Sequence, residues 1–134
     1  MKHYTVTAAI LSNENQILCM QRNKGKFDYI SYKYEFPGGK VEEGETFEAG
    51  LSRELTEEMG VDVAISPNNF YMTVEHEYPD FKITMHSYLI EVRNREFVMK
   101  EHLDAKWLDA NELKTLDWAE ADKPIVEALM RDCK

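Results

Sequence analysis

Residues 38–61 read GGKVEEGETFEAGLSRELTEEMGV, and the second half of this stretch sets the fold class. From Thr46 to Met59 the apolar residues Phe47, Leu51, Leu55 and Met59 recur every four positions. That period predicts a helix with one face for a core, and Gly60 is placed to end it. Glu54, Glu57 and Glu58 stand at i, i+3 and i+4, which puts three carboxylates together on another face. Alone, such a face is unfavourable. Like charges at i, i+4 repel by about a few tenths of a kcal/mol, and carboxylates near the negative end of the helix dipole lose ~0.3–1 kcal/mol more. A hard cation reverses the balance, because Mg²⁺ takes carboxylate oxygens together with water and phosphate.

Outward from this helix the pattern is mostly strand. Residues 4–11 alternate, with Tyr4, Val6, Ala8 and Ile10 on one face, and a Ser12-Asn13-Glu14-Asn15 turn leads into the apolar run 17–20, which together predict a hairpin. Residues 70–74 and 83–92 read as strands joined through Pro79-Asp80, and 105–108 as a short further strand. The C-terminal stretch is helical, with Asp122 as a candidate N-cap, Pro124 in the first turn and an apolar stripe of Ile125, Val126, Leu129 and Met130. Strands with interspersed helices imply an α/β or α+β layered domain with a mixed sheet.

At 134 residues the chain is sized for one domain, able to bury about two thirds of its unfolded surface. A net charge of −9 opposes long nucleic acid, which needs many phosphate contacts. A small phosphorylated ligand is compatible, received through a bridging cation or a few local basic residues. No membrane-length apolar run and no secretory leader pattern is present, so the expected compartment is the cytoplasm. Cys19 lies in an apolar strand pattern and Cys133 near the end, with no CxxC spacing, which reads as a buried small hydrophobe and a tail thiol.

The full run fits Gx₅Ex₇REUxEExGU, where U is a bulky aliphatic, through Gly39, Glu45, Arg53, Glu54, Leu55, Glu57, Glu58, Gly60 and Val61. From ordinary residue frequencies a chance match at a given start is on the order of one in 10⁹, which removes the alternative of a merely solvated acidic helix. The run is identified as the Nudix box, and Tyr34-Glu35-Phe36-Pro37-Gly38-Gly39-Lys40 before it resembles the MutT-like branch of that family. More weakly, the resemblance extends over nearly the whole chain, with one domain expected over residues 1–134. It implies a single α/β domain, an α/β/α sandwich with a mixed β-sheet, and a hydrolase cleaving nucleoside triphosphates to the monophosphate and pyrophosphate with Mg²⁺, for which Mn²⁺ may substitute. It further implies a small-molecule partner and a monomer or weak homodimer.

Position by position, the resemblance gives Glu54, Glu57 and Glu58 as divalent-metal ligands, Gly38 as a carbonyl ligand, and Arg53 as the arginine that orients the glutamates, paired with Glu45. Glu101, in Lys100-Glu101-His102, resembles a carboxylate added to the metal site from beyond the box, with Glu96 and Asp104 as competitors. Lys40 corresponds to a phosphate-side lysine and Arg22 to an arginine against the nucleotide. Ala121-Asp122-Lys123-Pro124 resembles the segment that reads the base, and Tyr4, Ala8, Phe36 and Tyr78 are candidate walls of the base pocket. An ionised Asp122 only accepts hydrogen bonds, which suits the cytosine amine or the N1 and amino protons of an oxidised guanine and disfavours thymine and uracil. Its competing account is helix capping.

The residue types also fit the chemistry directly. Cleaving a pyrophosphate linkage needs neutralised phosphate charge, a positioned water and a base, and clustered carboxylates supply metal ligands and leave one group free to act as base. Glycines at 38 and 39 permit close backbone approach to metal and phosphates. His3, His76, His86 and His102 show no HxH or HExxH spacing, and no GxSxG nucleophile motif occurs, which argues against zinc and serine hydrolases. The alternatives that stay open are a dinucleoside polyphosphate, with Tyr78 near the relevant spacing, and a non-catalytic regulatory nucleotide-binding module. Features associated with NADH and ADP-ribose enzymes are missing.

Overall fold

A computed structural model describes residues 1–132, so Cys133 lies outside the described residues. Twelve elements follow in order, of which nine are regular strands or helices: β1 (Lys2–Asn13), β2 (Gln16–Arg22), β3 (Tyr34–Glu35), β4 (Gly38–Lys40), α1 (Phe47–Met59), β5 (Phe70–Glu77), β6 (Phe81–Glu91), β7 (His102–Asp109) and α2 (Lys123–Asp132). Short 3₁₀ turns occupy Pro67–Asn69, Ala110–Thr115 and Glu120–Asp122. The seven strands form one mixed sheet ordered β3-β2-β1-β6-β5, with β4 against β1 and β7 against β2. Parallel pairing of β1 with β6 runs from Lys2 opposite Phe81 to Ser12 opposite Glu91.

The helices cover opposite faces. Leu51, Leu55 and Met59 of α1 pack with Ala9, Leu11, Leu18, Met20, Tyr88 and Ile90, while Ile125, Val126 and Leu129 of α2 share the other core with Ala8, Ile10, Ile17, Cys19, Phe36 and Trp118. This is the expected α/β/α sandwich. The alternation read in residues 4–11 captured only one face of β1. Ala9 and Leu11 are as buried as Ala8 and Ile10, because a central strand between two helical layers is apolar on both sides.

The hairpin turns through Glu14 and Asn15, both at positive φ (50° and 65°), as a tight two-residue connection requires. Only its turn end pairs β1 with β2, at Ser12–Ile17 and Asn13–Gln16. Further on, β4 takes the edge of β1, with Gly38 opposite Ala8 and Lys40 opposite Val6. A Cβ on Gly38 would stand 2.0 Å from the Thr7 carbonyl oxygen, and one on Gly39 would stand 2.6 Å from the Glu54 carboxyl carbon. The two glycines therefore let β4 lie against β1 and against the acidic helix.

Cys19 is fully buried, and burial pushes its thiol up to about 12, in keeping with an inert core residue. Among the described residues no helix is long and apolar enough to cross a membrane.

Candidate active site

Helix α1 is fixed at both ends by its own sequence. The Thr46 side chain accepts from the Ala49 N–H, and Gly60, at φ 66°, donates to the Leu55 and Thr56 carbonyls. Leu51, Leu55 and Met59 of the apolar stripe are buried, while Phe47, 38% exposed, stays at the surface, and Arg53, Glu54, Glu57 and Glu58 lie off the core face. Arg53 gathers Glu45, Glu54 and Glu57. Its Nε and Nη2 donate to both oxygens of Glu45 at 2.7 and 3.0 Å, and Nη1 donates to Glu54 at 3.1 Å and Glu57 at 3.2 Å. Nη2 also reaches the Lys40 carbonyl at 3.3 Å. The guanidinium, first among several causes, draws the Glu45 carboxyl down to about 2.

Glu58 is in the opposite condition. Burial first, then a hydrogen bond and charge from Glu54 and charge from Glu101, push its carboxyl up to about 7. Glu101 is brought there by the loop after β6, which is tied to the end of α1: the Val98 N–H donates to the Met59 carbonyl and Lys100 Nζ to the Glu57 carbonyl, both at 2.9 Å. The last turn of α1 carries no basic residue of its own, so Lys100 supplies the positive charge that a helix C-terminus favours. Glu58, Glu101 and Gly38 line one cavity of about 230 Å³ with Arg22, Glu35 and His102. Glu57 is 60% exposed on its side chain and faces Arg53 rather than this cavity.

Among the described residues no three side chains already stand in metal-ligand geometry. The donor chemistry nevertheless fits a hard dication: Glu58, its carboxyl raised by burial and by Glu54, stands with Glu54 beside Glu101, and among the described residues the arginine in contact with Glu54 is also committed to Glu45 and Glu57.

A second cavity, about 310 Å³, opens on the α2 side of β4 and is lined by Tyr4, Arg22, Phe36, Lys40, Tyr78 and Asp122 among others. Ala8 is not part of it. Two residues deeper along the same face of β1 than Val6, it is 1% exposed and enclosed in the core, and Val6 lines the cavity in its place. Asp122 does not act as the expected cap of α2. It ends a 3₁₀ turn, and its Oδ1 accepts from the Phe36 N–H at 3.2 Å. The segment before it is laid along β3, with Tyr34 N–H donating to the Asp117 carbonyl and Ala119 N–H to the Tyr34 carbonyl, and the Tyr78 hydroxyl accepts from the Ala121 N–H. Burial, chiefly, raises the Asp122 carboxyl well above the usual range, which shifts its balance toward the neutral form relative to the ionised side chain considered from the sequence.

Phe27 and Phe81 also line this cavity and carried no role in the sequence reading. Phe27 and Phe81 come together at 5.8 Å between ring centroids, Tyr29 stacks on Tyr78 at 5.3 Å, and Lys40 Nζ sits 4.3 Å over the Tyr4 ring. Phe27 and Tyr29 lie in the irregular 23–33 loop, where no periodicity marks them. Glu35 lines both cavities.

An α/β/α sandwich that presents an arginine-clamped glutamate face beside a base-sized cavity defines a phosphate-chain hydrolase. The NUDIX domain family matches residues 1–129, and the chain belongs to that family, in its MutT-like branch. It is 35% identical over 133 residues to the 8-oxo-dGTP diphosphatase of Escherichia coli K12, covering 98% of this chain and 99% of that protein. It is 31% identical over 130 residues to the CTP pyrophosphohydrolase of the same organism, covering 97% and 93%. The crystal structure of a MutT protein from Methanosarcina mazei Go1 shares the fold, with a TM-score of 0.85 at 20% identity and coverage of 99% and 96%.

Proposed function

We propose that this protein hydrolyses a nucleoside triphosphate to the nucleoside monophosphate and pyrophosphate in the cytoplasm, with Mg²⁺ or Mn²⁺, and that its substrates are oxidised guanine or cytidine nucleotides. The observation that carries this reading is that Arg22, Glu35 and Gly38 line both cavities, so a nucleoside beside Asp122 directs its phosphate chain toward Glu58 and Glu101. The relatives named above act on the same two nucleotide types by their descriptions.

Glu54, Glu58, Glu101 and the Gly38 carbonyl are the groups that would hold the metal, with Glu57 approaching from its place beside Arg53 outside the Glu58–Glu101 cavity, and the metal when bound neutralises phosphate charge and acidifies water. Arg22 and Lys40 add positive charge on the substrate side in a protein that is otherwise strongly acidic. Water adds to a phosphorus of the chain, the P–O bond to the pyrophosphate leaving group breaks, and one of the box carboxylates accepts the water's proton. Arg53 keeps Glu54 and Glu57 oriented while this happens. Turnover of purified protein against canonical, oxidised and methylated triphosphates, dinucleoside polyphosphates, ADP-ribose and NADH tests the proposal. Orthophosphate with nucleoside diphosphate as main product, or full activity in chelator, refutes it.

In its neutral form Asp122 both donates and accepts, so an amide copies that form. Asp122→Asn should keep the wild-type order of base preference, and Asp122→Ala should compress that order by roughly ten- to a hundredfold in kcat/KM, the effect of an unpaired buried group. If Asn compresses it as much as Ala, the ionised form is the reader. If Ala changes stability alone, Asp122 serves only to hold Phe36.

A further inference from the structure

On β2 and β7 the register runs evenly from Gln16 opposite Asp109 to Gln21 opposite Asp104, and then shifts, so that Arg22 faces His102. Leu103 is the extra residue, 51% exposed. Bulges of this kind re-aim a side chain. Without it Leu103 would oppose Arg22, whereas with it the His102 side chain, 8% exposed, reaches inward beneath Glu35. Both oxygens of Glu35 are then engaged: Oε2 accepts from His102 Nε2 at 2.9 Å and Oε1 from Arg22 Nη1 at 3.1 Å. The guanidinium does not settle itself. Arg22 Nε is buried and has no acceptor among the described residues, so the position of Arg22 is imposed by its one anchored carboxylate.

We propose that His102 is a positioning residue for nucleotide binding: turned inward by the bulge at Leu103, it locks Glu35, and Glu35 holds Arg22 at the passage between the base cavity and the acidic cavity. This rests on the proposed function for the identity of the ligand, a nucleoside triphosphate. Three strands meet in the arrangement, since Glu35 comes from β3, Arg22 from β2 and His102 from β7. His102 thereby acts on the substrate through Glu35 and Arg22 rather than by touching it.

The test uses the full chain, with kcat and KM for the preferred triphosphate, Mg²⁺ half-saturation, and calorimetric Kd for a non-hydrolysable triphosphate analogue. His102→Leu should raise KM and the analogue Kd about tenfold with kcat within about twofold, the signature of lost uniform binding. His102→Gln, which places an amide donor near the Nε2 position, should restore binding to within about threefold of wild type. Mg²⁺ half-saturation should stay unchanged, and in an Arg22→Ala background His102→Leu should add nothing further. Glu35→Gln reproduces the loss in a second variant if His102→Leu does not fold. Unchanged binding in His102→Leu, a Gln variant as impaired as Leu, additivity with Arg22→Ala, or a shift in Mg²⁺ half-saturation would each overturn the assignment. Failure of the wild type to cleave any triphosphate counts against the proposed function instead, and the analogue titration then decides the His102 question alone.

Discussion

Glu58→Gln is expected to lower kcat at least a thousandfold, which corresponds to ~4 kcal/mol of transition-state stabilisation, while the fold is retained. The substitution keeps shape and removes one charge from the carboxylates proposed to hold the metal. The same change should have the opposite effect on stability without metal. Because the Glu58 carboxyl rises from 4.5 unfolded to about 7 folded, the native state binds the extra proton between those values. Its contribution is fully present below pH 4.5 and is lost as pH rises through about 7. In chelator, therefore, the variant and wild type should melt together near pH 4 and separate toward neutrality, with the variant more stable. Added Mg²⁺ should reverse the order, since only the wild type gains strongly from binding. Thermal melts from pH 4 to 8, with and without Mg²⁺, check this, and a kcat loss below about tenfold would remove Glu58 from the metal site.

Arg53→Lys is the second large effect. One planar guanidinium distributes five donor contacts among Glu45, Glu54, Glu57 and the Lys40 carbonyl. An ammonium has three donors and no fork, so it can hold Glu45 or Glu54 but not keep all of them in register. We expect kcat to fall by roughly a hundredfold, as small misplacements of catalytic groups do, with KM little changed. The acid side of the stability profile should also move. Glu45, drawn from 4.5 to about 2, contributes stability above pH 4.5 that is lost as pH falls through about 2. The gap in melting temperature between wild type and Arg53→Lys should therefore narrow as pH drops from 6 toward 2. A gap that widens would show that Arg53 does not hold Glu45 in solution.

What could be read from the sequence followed from how local each feature is. Helix α1 was legible to within a residue because its period, cap and terminal glycine all lie inside one stretch. The acidic face followed from the same spacing. Strands β3 and β4 had no periodicity to detect, being two and three residues long and stabilised by partners elsewhere in the chain. Asp122 carried a good local capping pattern, yet the Phe36 N–H, 86 positions away, is the group its carboxylate binds. Tertiary burial overrode the local rule. Ala8 shared the correct face with Val6, but alternation gives a face and not a depth. His102 was visible as a neighbour of Glu101, whereas the bulge that turns it inward depends on the pairing of β2 with β7, which no residue in either strand announces.

The long parallel ladder between β1 and β6 has a consequence for how the chain reaches its native state. Lys2 must find Phe81 and Ser12 must find Glu91, so the central contact of the sheet closes only after most of the polypeptide is available. Loop closure over such separations precedes any reward from the contact, which places folding well on the slow side for this length. During synthesis the apolar residues of β1 leave the ribosome with the small β1–β2 turn pairing as their only local partner. That interval, rather than the finished sandwich, is when the protein's apolar strand surface is most exposed to aggregation.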